Sequence, residues 1–213
     1  DENTPSGMAI IASALCLMTH ASLRWNDTLS LSDLSLDSGI IKGRILHPKT
    51  SANAQEFFCH EKGFKTVMWS HPIFFYREEY RAQRAEYPKY LFPAVDKEWN
   101  VVDSCAPKRQ IEQRMRELMH KVGAPSGKQA NSYTLHSPRN FYTNAGAQLG
   151  WNIESQTVLG RWTRGSTMPE HYTRGTGVLE LQLRRDISER IGRGWEPAKS
   201  VQISNIPPPS TPH

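Results

Sequence analysis

SYTLHSPRNFYTNAGAQLGWNIESQTVLGRWTRGSTMPEHYTR, residues 132–174, is the stretch whose reading decides the fold. It holds a His-x-x-Arg pair (His136, Arg139), a Leu-Gly-Arg-Trp run ending at Trp162, and a tyrosine, Tyr172, just behind a capping-box spacing. The spacing predicts three helices. The first carries His136 and Arg139 at its mouth. Asn152 caps the second, which runs to about Leu159 and is ended by Gly160. Thr167 and Glu170 open the third at Met168, with Tyr172 in its first turn. Helix N-termini beside a histidine, an arginine and a phenol are suited to hold a phosphate.

Outward from this stretch, the chain reads as a mainly helical α+β domain. Ile10, Ile11, Ala14, Leu15 and Met18 recur at helical spacing behind a Thr4-Pro5 start. In ASLRWNDTLSLSDLSL, Ser22 is placed to cap a short helix, with Arg24 in its first turn and Asp27 positioned to orient the guanidinium. Ile40 to Leu46 reads as a strand paired with Gln55 to Cys59, after an Asp37-Ser38-Gly39 turn. One small antiparallel sheet near residues 34–60 is therefore expected. Lys49 sits at the hairpin tip, where a lysine is usually only solvated, and Lys42 inside the strand competes with it for any catalytic role.

Residues 60–108 are the least legible. Phe74, Phe75, Tyr76, Tyr80, Tyr87, Tyr90 and Phe92 could stack on bases, but such a run more often packs a core. From Lys108 to Val122 the apolar residues Ile111, Met115, Leu118, Met119 and Val122 mark an amphipathic helix ended at Gly123. Gly175 and Gly177 are expected to loosen the chain before a last helix, Val178 to Ile191, with Leu179, Leu181, Leu183 and Ile187 apolar. Residues 1–191 form the predicted domain, and the Pro-rich segment 192–213 an extended tail.

The 213 residues suffice for one sizeable core, and a net charge of +5 favours a polyanionic partner. The three cysteines, Cys16, Cys59 and Cys105, lack metal-ligand spacing and read as reduced thiols of an intracellular protein. No apolar run is long enough to span a membrane, so no membrane role is expected. The first residue is Asp1 rather than Met, and a preceding partner domain is expected.

These residues, in this order, resemble the catalytic domain of tyrosine recombinases, the phage-integrase family. ASLRWNDTLSL with Arg24, HSPR with His136 and Arg139, and LGRW followed by MPEHY with Tyr172 carry the resemblance, which spans about Met8 to Ile191. The LGRW and MPEHY details look closest to recombinases of eukaryotic mobile elements. The resemblance implies cleavage and rejoining of double-stranded DNA through a 3′-phosphotyrosine, with no metal or cofactor. Tyr172 would be the nucleophile. Arg24 and Arg139 would clamp the nonbridging phosphate oxygens, His136 would donate to the phosphate or help manage the tyrosine proton, and Lys49 would protonate the leaving 5′-oxygen. It also implies a homo-tetramer on DNA linked through the C-terminal helix, and a nuclear location in a eukaryote. The helix's apolar residues need a partner, in cis or in trans.

Physical need agrees with those roles. A phenol near pKa 10 must lose its proton to act as a nucleophile at neutral pH. The phosphorane gains negative charge that two fixed guanidinium forks can stabilise. One position departs from the family pattern: Arg161 stands where a histidine is usual, with Trp162 next, and an indole N–H can also donate to phosphate. Arg161 and a longer loop to Tyr172 favour a second reading, a DNA-binding remnant that no longer cuts. A type IB topoisomerase is a third, set back by His136 standing where that family tends to carry lysine.

Overall fold

The computed structural model describes residues 6–48, 54–64, 67–123, 133–160 and 173–197. The expected mainly helical α+β class is what is found, with the one small antiparallel sheet expected joined by a second. Helix α1 (Ser6–His20) is the hub. Its Ile11, Ala14, Leu17 and Met18 are fully buried, because it packs against helices on several sides and against the sheet rather than lying on a surface.

Strands β1 (Leu31–Asp37), β2 (Ile40–Ile45) and β3 (Gln55–His60) form one antiparallel sheet in sequence order. Asp37 pairs with Ile40, so Ser38 and Gly39 make a two-residue turn, and both have positive φ, 50° and 78°, as the right-handed twist of a hairpin favours. On β2 the alternation is strict: Ile41, Gly43 and Ile45 are buried while Lys42 and Arg44 are exposed. Gly43 leaves room for the Phe57 ring opposite it.

Helix α2 (His71–Arg84) carries much of the aromatic run. Tyr76 is buried and meets Tyr80 edge-on, Tyr80 meets Tyr90 the same way, and Phe92 is buried. Tyr76 and Phe92 are therefore core, with Phe74 and Tyr80 packed against it, while Phe75 and Tyr87 are exposed. A second sheet, unforeseen from sequence, pairs β4 (Pro93–Val95) with β5 (Val101–Cys105). Its strands are too short for a period-two signal, and a proline opens the first. The intervening turn holds Trp99 at φ +68°, with Arg114 over its ring.

Helix α3 (Lys108–Lys121) buries Ile111 and Met115 as expected, but Val122 lies beyond its end and is 80% exposed. Helix α4 (His136–Gln148) and helix α5 (Ile153–Gly160) fall where the central stretch predicts. The Asn152 side chain accepts from the Ser155 N–H at 2.9 Å, which is the predicted cap.

Helix α6 (Thr173–Gly192) differs from expectation twice. It runs through Gly175 and Gly177, and the latter lies against the Phe58 ring, where a Cβ would be only 3.1 Å away. Its inward positions are Glu180, Arg184 and Ile187, whereas Leu179 is 40% exposed. Leu179, Leu183 and Ile187 follow one another at i,i+4, whereas Leu181 is two residues from its neighbours and a helix turns it to the other side, so the four apolar residues cannot share one face. Ile187, Leu183 and Trp195 join Tyr142, Ala145 and Leu159 in a second core cluster, so much of the helix finds its partner in cis. No helix among the described residues is long and apolar enough to cross a membrane.

One contact fixes how α1 enters the fold. A Cβ at Gly7 would fall inside van der Waals contact of the Trp99 carbonyl oxygen and 2.9 Å from Val95 Cγ1. The obstacle is backbone, which cannot turn aside. Gly7→Ala is expected to cost about 1–3 kcal/mol of stability despite its better helix propensity, read as a lower denaturant midpoint at unchanged slope.

Candidate functional site

Arg24 follows α1 by four residues and is the N-cap of a 3-10 turn, Trp25–Leu29. Ser22 is not the cap expected from sequence. It sits one tight turn earlier at φ +49°, fully buried. Asp27 is not a partner of the Arg24 guanidinium either. It accepts the Arg24 backbone N–H at 2.8 Å, and its Oδ2 lies 3.9 Å from Arg139 Nη1. The carboxylate thus ties the Arg24 turn to the helix that carries Arg139. The Arg24 side chain is half-buried at this junction.

His136 and Arg139 occupy the first turn of α4, as predicted. Their environments differ sharply. His136 is exposed, while Arg139 is only 6% exposed. Arg139 Nη1 donates to the Ser22 carbonyl at 3.2 Å, and Nη2 donates to the Gly160 carbonyl at 2.7 Å. Gly160 ends α5, so three segments distant in sequence meet at one guanidinium: the Arg24 turn, the His-x-x-Arg helix, and the end of the helix that precedes Arg161 and Trp162. Lys49, Arg161, Trp162 and Tyr172 lie outside the described residues. Lys42, the competing lysine, is paired with Glu56 at 2.9 Å and lies over the Phe58 ring.

Beneath the site lies a polar network that sequence reasoning missed. Arg184 of α6 is 1% exposed and pairs with Glu180 at 2.7 Å, one turn away. The i,i+4 spacing of Glu180 and Arg184 was visible in sequence, but it is the ordinary pattern of an exposed helix face. Arg184 also lies over the Tyr142 ring at 4.9 Å. The Tyr142 hydroxyl is 2.6 Å from His20 Nδ1 and 3.1 Å from Ser188 Oγ. Burial pushes this phenol up to about 12, and the side chain has no exposed surface. Tyr142 is therefore a core residue and no nucleophile.

Burial, followed by the neighbouring Arg184 charge, pushes His20 down to about 3 from an ordinary 6.5. The imidazole is thus neutral in the fold, while the unfolded chain takes up a proton below about pH 6.5. Its contribution to stability is complete above that pH and is lost as pH falls from 6.5 toward 3. Between pH 6.5 and 5 the loss is expected to be about 1.5 kcal/mol. Denaturation of the parent and of His20→Gln at both pH values checks this, the variant showing the shallower fall.

No protein-family model and no curated protein matches this chain. Among solved structures, a XerH site-specific recombinase bound to palindromic difH substrate, a post-cleavage complex, aligns with a TM-score of 0.47 at 15% identity. The alignment covers 91% of this chain and 48% of that one, so the chain spans about half the length of the recombinase.

Proposed function

We propose that this chain is the catalytic domain of a tyrosine recombinase, cleaving and rejoining double-stranded DNA through a phosphotyrosine at Tyr172. The observation that carries the reading is the convergence at Arg139. Asp27 faces its guanidinium while holding the Arg24 N–H, the exposed His136 stands one turn before it, and the Gly160 carbonyl brings in the end of α5. These are the segments that the motif order assigns to one centre. The net charge of +5 suits a phosphate backbone.

In the proposed reaction the phenol of Tyr172 gives up its proton with the help of His136, its oxygen bonds to phosphorus, and the bond to the 5′-oxygen breaks. Lys49 gives that oxygen its proton. Arg24 and Arg139 stabilise the charge on the nonbridging oxygens, His136 and the Trp162 indole N–H donate to the same phosphate, and attack by a 5′-hydroxyl reverses the step. The bond energy is conserved in the phosphotyrosine, so resealing needs no nucleotide cofactor. The LGRW and MPEHY motifs support placement among recombinases of eukaryotic mobile elements, which would act in the nucleus. The exposed Val178 and Leu179 on α6 support assembly of a homo-tetramer on DNA. The catalytic unit would run through Trp195, which packs on the second core cluster, with the Pro-rich residues beyond it a tail.

One observation favours the non-cutting reading: Arg139 is 6% exposed with both terminal nitrogens on backbone carbonyls. A DNA substrate nicked beside the scissile phosphate separates the two readings. The cut fragment diffuses away, and a cutting enzyme accumulates a denaturant-stable protein–DNA adduct. A protein that binds the same DNA specifically and forms no adduct would be the remnant.

A further inference from the structure

Arg139 and Arg184 come from different helices, yet they grip the same two points of the backbone. Arg139 bonds the carbonyl of Ser22 and the carbonyl of Gly160. Arg184 donates from Nη1 and Nη2 to the Ser22 hydroxyl, each at 3.2 Å, and from Nη2 to the Leu159 carbonyl at 3.3 Å. One point is the turn two residues before Arg24. The other is the last turn of α5. Ser22 itself is fully buried in a left-handed conformation that residues other than glycine, asparagine and aspartate rarely adopt, so something must hold it there.

We propose that Arg184 is a positioning residue, which by holding the Ser22 hydroxyl against the end of α5 sets the Arg24 turn at a fixed distance from Arg139. The inference rests on the recombinase reading of the site and adds to it a residue outside the motif set. A buried ion pair is weak evidence for a stabilising role, since apolar residues of similar volume often serve as well. What apolar residues cannot replace is the pair of hydrogen bonds on Ser22 Oγ. Glu180 neutralises Arg184 and leaves its Nη donors for the Leu159 carbonyl and the serine, while the buried Nε makes no hydrogen bond among the described residues. Proper spacing of the two guanidinium groups matters because a reacting phosphate must meet both at once.

Two variants in the full-length protein separate positioning from simple packing. Ser22→Ala removes the shared acceptor and keeps the Glu180–Arg184 pair. The double variant Glu180→Leu with Arg184→Met removes both charges together, so that neither is left buried alone. In both, amide hydrogen exchange is expected to lose protection over Leu23 to Thr28, a readout that needs no DNA. On nicked DNA at saturating concentration, the rate of adduct formation is expected to fall by up to about a hundredfold, the scale of an ångström's misplacement. DNA affinity is expected to stay near the parent's, and the melting temperature of Ser22→Ala to fall by a few degrees, because the buried guanidinium loses an acceptor. Unchanged exchange in both variants, or a rate that falls only in step with affinity and melting temperature, would overturn the positioning role. If the parent binds its DNA and forms no adduct, the recombinase reading fails, and unchanged or lost protection over the Arg24 turn still decides whether Arg184 holds it.

Discussion

Tyr172→Phe is expected to abolish the covalent adduct on nicked DNA while leaving DNA affinity within about tenfold of the parent. The phenol oxygen is the only atom of this side chain proposed to bond to phosphorus, and its removal leaves a ring of nearly the same shape. A hydroxyl contact with DNA contributes about 0.5–1.5 kcal/mol at most, and the phosphate-binding cations are untouched. Loss of chemistry should thus be complete where loss of binding is slight. Tyr142→Phe is the informative contrast. That hydroxyl is buried and bonded to His20 and Ser188, so its loss leaves the buried His20 and the half-buried Ser188 short of a partner. It should lower stability by about 1–3 kcal/mol and leave the yield of adduct intact. Undiminished adduct from Tyr172→Phe would remove the proposed nucleophile, and loss of adduct in a folded Tyr142→Phe would show that the core network reaches the chemistry.

What sequence could and could not reveal follows from the range of the interactions. The turn at Asp37-Ser38-Gly39, α3, α4 and the Asn152 cap rest on contacts within a few residues, and each was legible. The sheet of Pro93–Val95 with Val101–Cys105 was not, since three and five residues show no period. Ser22 looked like a helix cap because serine before a helical pattern usually is one. Its hydroxyl instead accepts from Arg184, 162 residues away, and no local rule reports such a bond. Asp27 was read with the wrong partner. Its spacing from Arg24 is helical, but the fold brings Arg139 to its oxygen and leaves Arg24 only the backbone bond. His136 and Arg139 were legible as a motif. That one would be exposed and the other buried depends on where α1 and α5 pack, which the motif does not encode. Lys49, Trp162 and Tyr172 rest on motif order and spacing.

Arg139→Lys and Arg139→Ala should fail in different ways. The arginine holds two carbonyls with two nitrogens and faces Asp27 at 3.9 Å, all nearly out of solvent. Lysine keeps the charge near Asp27, but a single ammonium cannot span the Ser22 and Gly160 carbonyls and also present a fork to phosphate. Arg139→Lys is therefore expected to remain folded, bind DNA, and form adduct about a hundred- to a thousandfold more slowly, the usual cost of one lost charge-stabilising donor. Alanine leaves the Asp27 carboxylate without its cation and both carbonyls without donors. Breaking a buried pair commonly costs about 3–5 kcal/mol. The low end applies here, because the pair is long and Asp27 keeps the Arg24 N–H. Denaturation of both variants alongside single-turnover adduct formation tests this. Arg139→Ala should lose about 3 kcal/mol and Arg139→Lys clearly less, with both losing rate. If Arg139→Lys cuts at the parental rate, Arg139 contributes charge and packing only, and the guanidinium fork at the phosphate must come from Arg24 or from Arg161.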